Sequence, residues 1–190
     1  MKALEQRILS EGTVLNGDIL KVGSFLNQQL DVDFLLEMGQ EVQNLYAGQE
    51  ITKILTIEAS GIAVAVAVAA VMHKKVVFAK KNKSANVSGE VYTAKVHSFT
   101  HGTDYLITVP KDYINNEDKV LIIDDFLANG KALEGLIDIV NQAGAKVVGC
   151  TCAIEKGFQG GGDKLRKAGY KVESLAVIDK MSPEEIEFRQ

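Results

Sequence analysis

The sequence predicts an α/β fold with a central, mainly parallel sheet and flanking helices, and two stretches carry most of that expectation. Residues 120–123 are apolar and run into Asp124 and Asp125, then into a small-residue loop and the helix-like run 133–140. That is the pattern of a buried parallel strand, a turn and a helix start. Residues 51–57 repeat it, running into Glu58-Ala59-Ser60-Gly61 before the apolar stretch 62–72. Open α/β sheets bind ligands at the carboxyl ends of their strands, so both turns are candidate sites.

The remaining elements follow in order. In residues 2–10, Leu4 and Ile8 lie one helical turn apart before Gly12, which predicts a short amphipathic helix. Residues 13–22 read as extended without a clean one-face alternation, a segment expected to lie over a site rather than inside a core. Asp31 is a favourable N-cap for a helix to about Tyr46, with Phe34, Leu35, Met38, Val42 and Leu45 on one side and Gly48 at its end. Residues 76–79 are a short strand handing over to Lys80, Lys81 and Lys83. Residues 82–89 are polar, small and aperiodic, and are expected to be mobile. Residues 90–99 and 105–109 alternate like a hairpin whose turn is His101-Gly102-Thr103-Asp104. Residues 132–142 predict a helix with Leu133, Leu136, Ile137 and Val140 inward, closed at Gly144. Residues 146–154 form another core strand, delivering Glu155 and Lys156 to the same edge as the acidic pair. Residues 157–162 are read as a flexible, glycine-rich connection to a short helix at 164–168 and a strand at 172–178. The charged tail from Met181 is expected to pack weakly.

The chain of 190 residues suits one domain with a modest accessory element. A net charge of −4 weighs against nucleic acid, including DNA, as the main partner. The apolar run 62–72 is too short to span a bilayer, and no charged-then-apolar leader opens the chain, so a soluble cytoplasmic protein without a membrane partner is expected. Cys150 and Cys152 lie two apart on one strand, where they share a face without bridging, as buried thiols. His73, His97 and His101 do not share the helical face that a metal site needs, so no protein metal cage is expected.

The acids and the loop after them suit different chemistry. Ala128, Asn129, Gly130, Lys131 and Ala132 offer consecutive backbone N–H groups leading into a helix N-terminus, a nest that favours a phosphate dianion. Asp124 and Asp125 would repel that phosphate on contact, but they can accept hydrogen bonds from a vicinal diol. A phosphate cradle beside diol acceptors describes a ribose 5-phosphate. A Walker A loop is excluded, because Asp125 and Ala132 stand where it needs Gly and Ser or Thr. A strand ending in solvated acids is the plain alternative for the acidic pair alone; the whole pattern is more specific.

Residues 120–132 resemble the phosphoribosyl-pyrophosphate signature of the type I phosphoribosyltransferases. The likeness extends to Thr56-Ile57-Glu58-Ala59-Ser60-Gly61, to Val76-Val77-Phe78-Ala79-Lys80-Lys81, and to Asp18-Ile19-Leu20-Lys21-Val22 followed by Ser24-Phe25-Leu26-Asn27. Together these are similar to the bacterial xanthine-using members over nearly the entire length. Ala132 stands where many relatives have Thr, and Lys80 where many have Arg. The resemblance implies a type I phosphoribosyltransferase fold over residues 1–190, with an N-terminal hood of about 1–35 on a core of about 36–190. It implies a 5′-phosphate on 128–132, pyrophosphate on Ala59, Ser60, Lys80 and Lys81, and the ribose diol on Asp124 and Asp125. Leu20, Asn27 and Lys156 would meet xanthine, Mg²⁺ would arrive with the donor, a flexible loop would close over the centre, and the protein would act as a homodimer. Lys offers donors and no acceptor, so Lys156 suits a 6-oxo group and opposes the 6-amino group of adenine, a mismatch worth about 10⁴-fold or more. Asn27 carries a donor and an acceptor and could read the 2-position. Two alternatives are another purine as acceptor and a non-catalytic sensor of the donor. Only about thirty residues precede the Asp31 helix, too few for a DNA-binding domain plus a hood.

Overall fold

A computed structural model describes residues 1–81, 89–98 and 103–190. The chain opens with α1 (Lys2–Glu11), which buries Leu4 and Ile8. The hairpin β1 (Thr13–Leu15) and β2 (Ile19–Lys21) follows, with Val14 opposite Leu20. A π-helical turn, Gly23–Asn27, then buries Phe25 and Leu26. Helix α2 (Val32–Leu45) starts where expected, because the Asp31 carboxylate accepts from the Phe34 N–H at 3.1 Å.

The rest alternates between strand and helix around one large sheet. Its strands are β3 (Lys53–Ile57), β4 (Lys75–Lys81), β5 (Val91–Ser98), β6 (Thr103–Pro110), β7 (Lys119–Leu127), β8 (Lys146–Lys156), β9 (Val172–Met181) and β10 (Ile186–Phe188). Helices α3 (Gly61–Met72), α4 (Lys131–Gln142) and α5 (Gly161–Lys167) follow β3, β7 and β8. The spatial order is β10-β9-β8-β7-β3-β4-β6-β5. The five strands β9-β8-β7-β3-β4 run parallel, and the pairs at the two margins are antiparallel.

Strand β7 explains why its sequence is an unbroken apolar run. Leu121 and Ile123 enter the core shared with the N-terminal elements, α2 and α3, while Val120 and Ile122 enter the core shared with α4 and the β5–β6 hairpin. Alternate residues point to opposite faces, and both faces are covered. Burying each such side chain contributes roughly 1.5–3 kcal/mol. Because α3 and α4 cover opposite faces, the connections after β3 and β7 part from each other. A crevice opens there at the strands' carboxyl ends, as at any topological switch point.

Several expectations need correction. Strand β4 does not stop before its lysines but runs through Lys81, because Lys80 and Lys81 pair with Thr108 and Ile107 of β6. Asp104 lies in β6 rather than in a turn. The tail does not pack weakly: Ile186 and Phe188 of β10 pack on the core, and Arg189 grips Asp179. The expected mobile loop, apart from Gly89, and the first half of the expected hairpin turn fall on residues 82–88 and 99–102, outside the described residues. Among the described residues, no helix is long and apolar enough to cross a membrane.

Candidate active site

The crevice between β3 and β7 holds a cleft of about 140 Å³ lined by Ile57, Glu58, Ala59, Ser60, Gly61, Lys81, Tyr105, Asp124, Asp125 and Ala132. Both predicted strand-turn-helix junctions therefore meet in one place. Asp124 is only 5 % exposed, and one of its oxygens accepts from the Asp125 N–H at 2.9 Å. Burial, and then the charge of Asp125, push the Asp124 carboxyl well above the ordinary range. Asp125 is half-buried and accepts from Asn27 Nδ2 at 3.5 Å, which ties the hood to the acidic pair.

After β7 the chain turns through Ala128 and Asn129 to Gly130, whose φ of +85° is the left-handed conformation that glycine adopts at least cost. The Asn129 side chain accepts from the Lys131 N–H at 3.1 Å, shaping the turn at the start of α4. The first turn of any helix presents backbone donors with no partner inside the helix, the arrangement an anion needs. The Lys131 ammonium turns away along α4 to Glu134 at 2.8 Å.

At the other junction Gly61 is required by crowding, since a Cβ there would lie 2.5 Å from Thr56 Oγ1 and 2.8 Å from Asp124 Oδ1. The Glu58–Ala59 peptide is cis. The Glu58 carboxylate accepts from the Lys81 N–H at 2.5 Å and its N–H donates to Ala79 O at 3.1 Å, so this loop is fastened to β4. The two pyrophosphate candidates on β4 separate. Lys81 lines the cleft, with its ammonium 5.3 Å from the Tyr105 ring centre, whereas Lys80 lies on the opposite face of the strand and is not among the lining residues.

Lys156 stands at the end of β8, with its ammonium 5.9 Å from the Phe126 ring centre and donating to Asp18 O at 2.5 Å. Burial lowers its pKa, and Asp18 partly offsets this. Leu20 is 6 % exposed and belongs to the apolar core with Ile8 and Phe25. Of the three base-facing candidates, Asn27 and Lys156 are thus the ones with polar atoms tied across the hood-to-sheet boundary. Glu155 does not reach the site as a free acid: it is fully buried, on Arg166.

The histidines and cysteines lie elsewhere. His97 Nδ1 is 2.6 Å from Asp104 on the hairpin, His73 ends α3 at φ +53°, and His101 is outside the described residues. Cys150 and Cys152 are buried and free. Burial pushes the Cys150 thiol up to about 12, so it supplies no thiolate at neutral pH.

The glycine-rich segment after Lys156 is not a flexible connection. The Gly161 N–H donates to Ala128 O at 3.2 Å, and a Cβ on Gly161 would collide with the Ala128–Gly130 backbone. The segment braces the 128–130 loop from behind. Sequence reading missed this, along with Tyr105 in the cleft wall; three consecutive glycines at a helix start were the available signal of close backbone approach.

Comparison with known proteins agrees with this geometry. The phosphoribosyl transferase domain family matches residues 30–185. The xanthine phosphoribosyltransferase of Bifidobacterium longum subsp. infantis is 55 % identical over 192 residues, covering 100 % of both chains. That of Ruminiclostridium cellulolyticum is 52 % identical over 190 residues, again with 100 % coverage of each. Among solved structures, adenine phosphoribosyltransferase from Giardia lamblia aligns with TM-score 0.76 at 21 % identity, over 92 % of this chain and 96 % of that one. The Trypanosoma brucei enzyme aligns with TM-score 0.76 at 17 % identity, over 92 % of this chain and 78 % of that one; at these identities both share the fold. With the family match spanning most of its length and relatives more than half identical along all of it, this chain belongs to the phosphoribosyl transferase family.

Proposed function

We propose that the protein transfers the 5-phosphoribosyl group from 5-phosphoribosyl 1-pyrophosphate to xanthine, giving xanthosine 5′-monophosphate and pyrophosphate in purine salvage. The observation that carries the reading is the joining of the two strand-end loops around Asp124 and Asp125 in one cleft. The 128–132 loop binds the 5′-phosphate, and Asp124 and Asp125 hold the ribose hydroxyls. As the bond from the anomeric carbon to pyrophosphate breaks, positive charge develops on the sugar, and the same carboxylates stabilise it. A purine nitrogen closes the new bond. Ala59 and Ser60, at the N-terminus of α3, together with Lys81 receive the leaving pyrophosphate, and Lys80 contributes long-range charge from the other face.

The cleft lining includes the carboxylates of Glu58, Asp124 and Asp125, hard oxygen ligands that suit Mg²⁺ held mainly by diphosphate and water. Bound there, Mg²⁺ would neutralise the leaving group. Positioning supplies much of the rate, so the reaction needs no protein nucleophile. Lys156 donates to the 6-oxo group, Asn27 reads the 2-position, and Leu20 supports the hood from its core.

The reading treats the chain as one domain with its hood, working as a homodimer in the cytoplasm. The free thiols suit a reducing compartment, and the exposed Val32, Leu36 and Val66 on the paired helices α2 and α3 suit a second copy. The test is an assay with Mg²⁺, the donor, and xanthine, guanine, hypoxanthine or adenine. Xanthine is expected to be preferred, with the preference eroded in Lys156→Ala. Binding of the donor without turnover of any base would overturn the enzyme reading in favour of a sensor.

A further inference from the structure

Beneath the segment that joins Lys156 to the back of the phosphate loop runs a chain of ion pairs that the proposed reaction does not touch. The fully buried Glu155 accepts from Arg166 Nη1 at 2.9 Å and Nη2 at 2.7 Å, and from Ser174 Oγ at 2.6 Å. Arg166 Nη1 also donates to Asp163 at 3.2 Å. The same Asp163 oxygen accepts from Arg189 Nη1 at 3.1 Å, while Arg189 Nη2 and Nε donate to Asp179 at 2.7 and 3.0 Å. The network thus reaches from the carboxyl end of β8 to Arg189, just after β10.

Glycines let it press directly against the segment above. A Cβ on Gly157, the residue after Lys156, would meet Asp179 Oδ1 at 2.7 Å and Arg189 Nη2 at 2.9 Å. A Cβ on Gly162 would strike the Glu155 carboxylate, and one on Gly161 would strike the phosphate-loop backbone. One short rigid segment therefore has Lys156 at one end and the support of residues 128–130 at the other. Replacing a buried ion pair by apolar residues of similar volume is often neutral or stabilising, so a pair such as Glu155–Arg166 is not required for stability alone. What a bidentate guanidinium–carboxylate pair adds is direction.

We propose that Glu155, Arg166 and Arg189 are positioning residues that fix the distance between Lys156 and the phosphate loop, holding the base and the 5′-phosphate one nucleotide apart. The proposal rests on the transfer reaction above. Arg189 acts through Gly157 on Lys156, and α5 acts through Gly161 on the phosphate loop.

The test compares KM, kcat and thermal midpoint for wild type, Arg189→Ala, Arg189→Lys, Gly161→Ala and Lys180→Ala. Lys180→Ala removes the Lys180–Glu187 pair of the same β9–β10 ribbon at 2.9 Å, away from the segment. Arg189→Ala is expected to raise KM for xanthine about tenfold and Gly161→Ala to raise KM for the donor about tenfold or more, since displacements near 1 Å cost up to ~100-fold. Arg189→Lys should recover part of the loss, and Lys180→Ala should change neither KM. A lowered midpoint in Arg189→Ala with both KM values unchanged would overturn the proposal and leave a structural role. Calorimetric binding of ribose 5-phosphate to wild type and Gly161→Ala needs no turnover. If wild type turns over no base yet binds this ligand, and Gly161→Ala weakens it, the brace on the 128–130 loop stands while the transfer reading, and the placing of the base with it, falls. No binding to wild type together with no turnover of any base overturns both.

Discussion

The two strand-to-helix junctions of the cleft are alike in sequence and different in what holds them. After β7, the loop turns at Gly130 with φ +85° and is braced from behind by the Gly161 backbone. After β3, the loop is fastened by a side chain, Glu58, to the Lys81 N–H, and its Gly61 yields space to Thr56 and Asp124. One loop is shaped by backbone conformation and a second backbone, the other by a carboxylate and by crowding. The difference matches what each would bind: a phosphate that stays attached throughout, and a pyrophosphate that must leave.

The largest expected effect comes from the acids between them. Asp124→Asn and Asp125→Asn should each lower turnover by about 10²-fold, the scale of a lost preorganised electrostatic partner. Asp124→Asn should at the same time raise the thermal midpoint of the free protein at pH 7. The folded-state pKa of Asp124 lies above its ordinary value, so folding favours the protonated form. The group's stabilising contribution is complete below the ordinary carboxylate range and is lost as pH rises through the folded value. The gain from Asn should therefore shrink as pH falls into the ordinary range; calorimetry across pH checks this. A midpoint in Asp124→Asn unchanged at pH 7 would remove buried charge as the cause.

Alanine at each junction glycine sharpens the contrast. Gly61→Ala must displace Thr56 or Asp124 and is expected to cost roughly 1–3 kcal/mol in denaturant unfolding, with weaker donor binding. Gly130→Ala should cost about 1 kcal/mol, the price of a left-handed backbone. A smaller cost for Gly61→Ala than for Gly130→Ala would mean the junctions do not differ as described. The smallest effect separates the neighbouring lysines. Lys81→Ala should raise KM for the donor about tenfold, with a shallower salt dependence, while Lys80→Ala stays within about twofold. Kinetics at two ionic strengths decide it.

Much of this protein is legible in its order of residues. The apolar run of β7, the acids after it, the small-residue loops and the Asp31 cap follow from local rules of burial, turn and capping chemistry, and they revealed both the fold class and most of the cleft. Sequence reading took Lys80 and Lys81 as a pair, because their separation depends on β4 continuing through both and turning alternate residues to opposite faces. It read residues 157–162 as loose and the tail as weakly held. Those depend on distant contacts, because the partners of Gly161, Glu155 and Arg189 are set by packing among the loop after β7, β8, α5 and β10. Short-range patterns specify an element and its buried face; which charges and glycines meet is fixed only when distant elements close on one another.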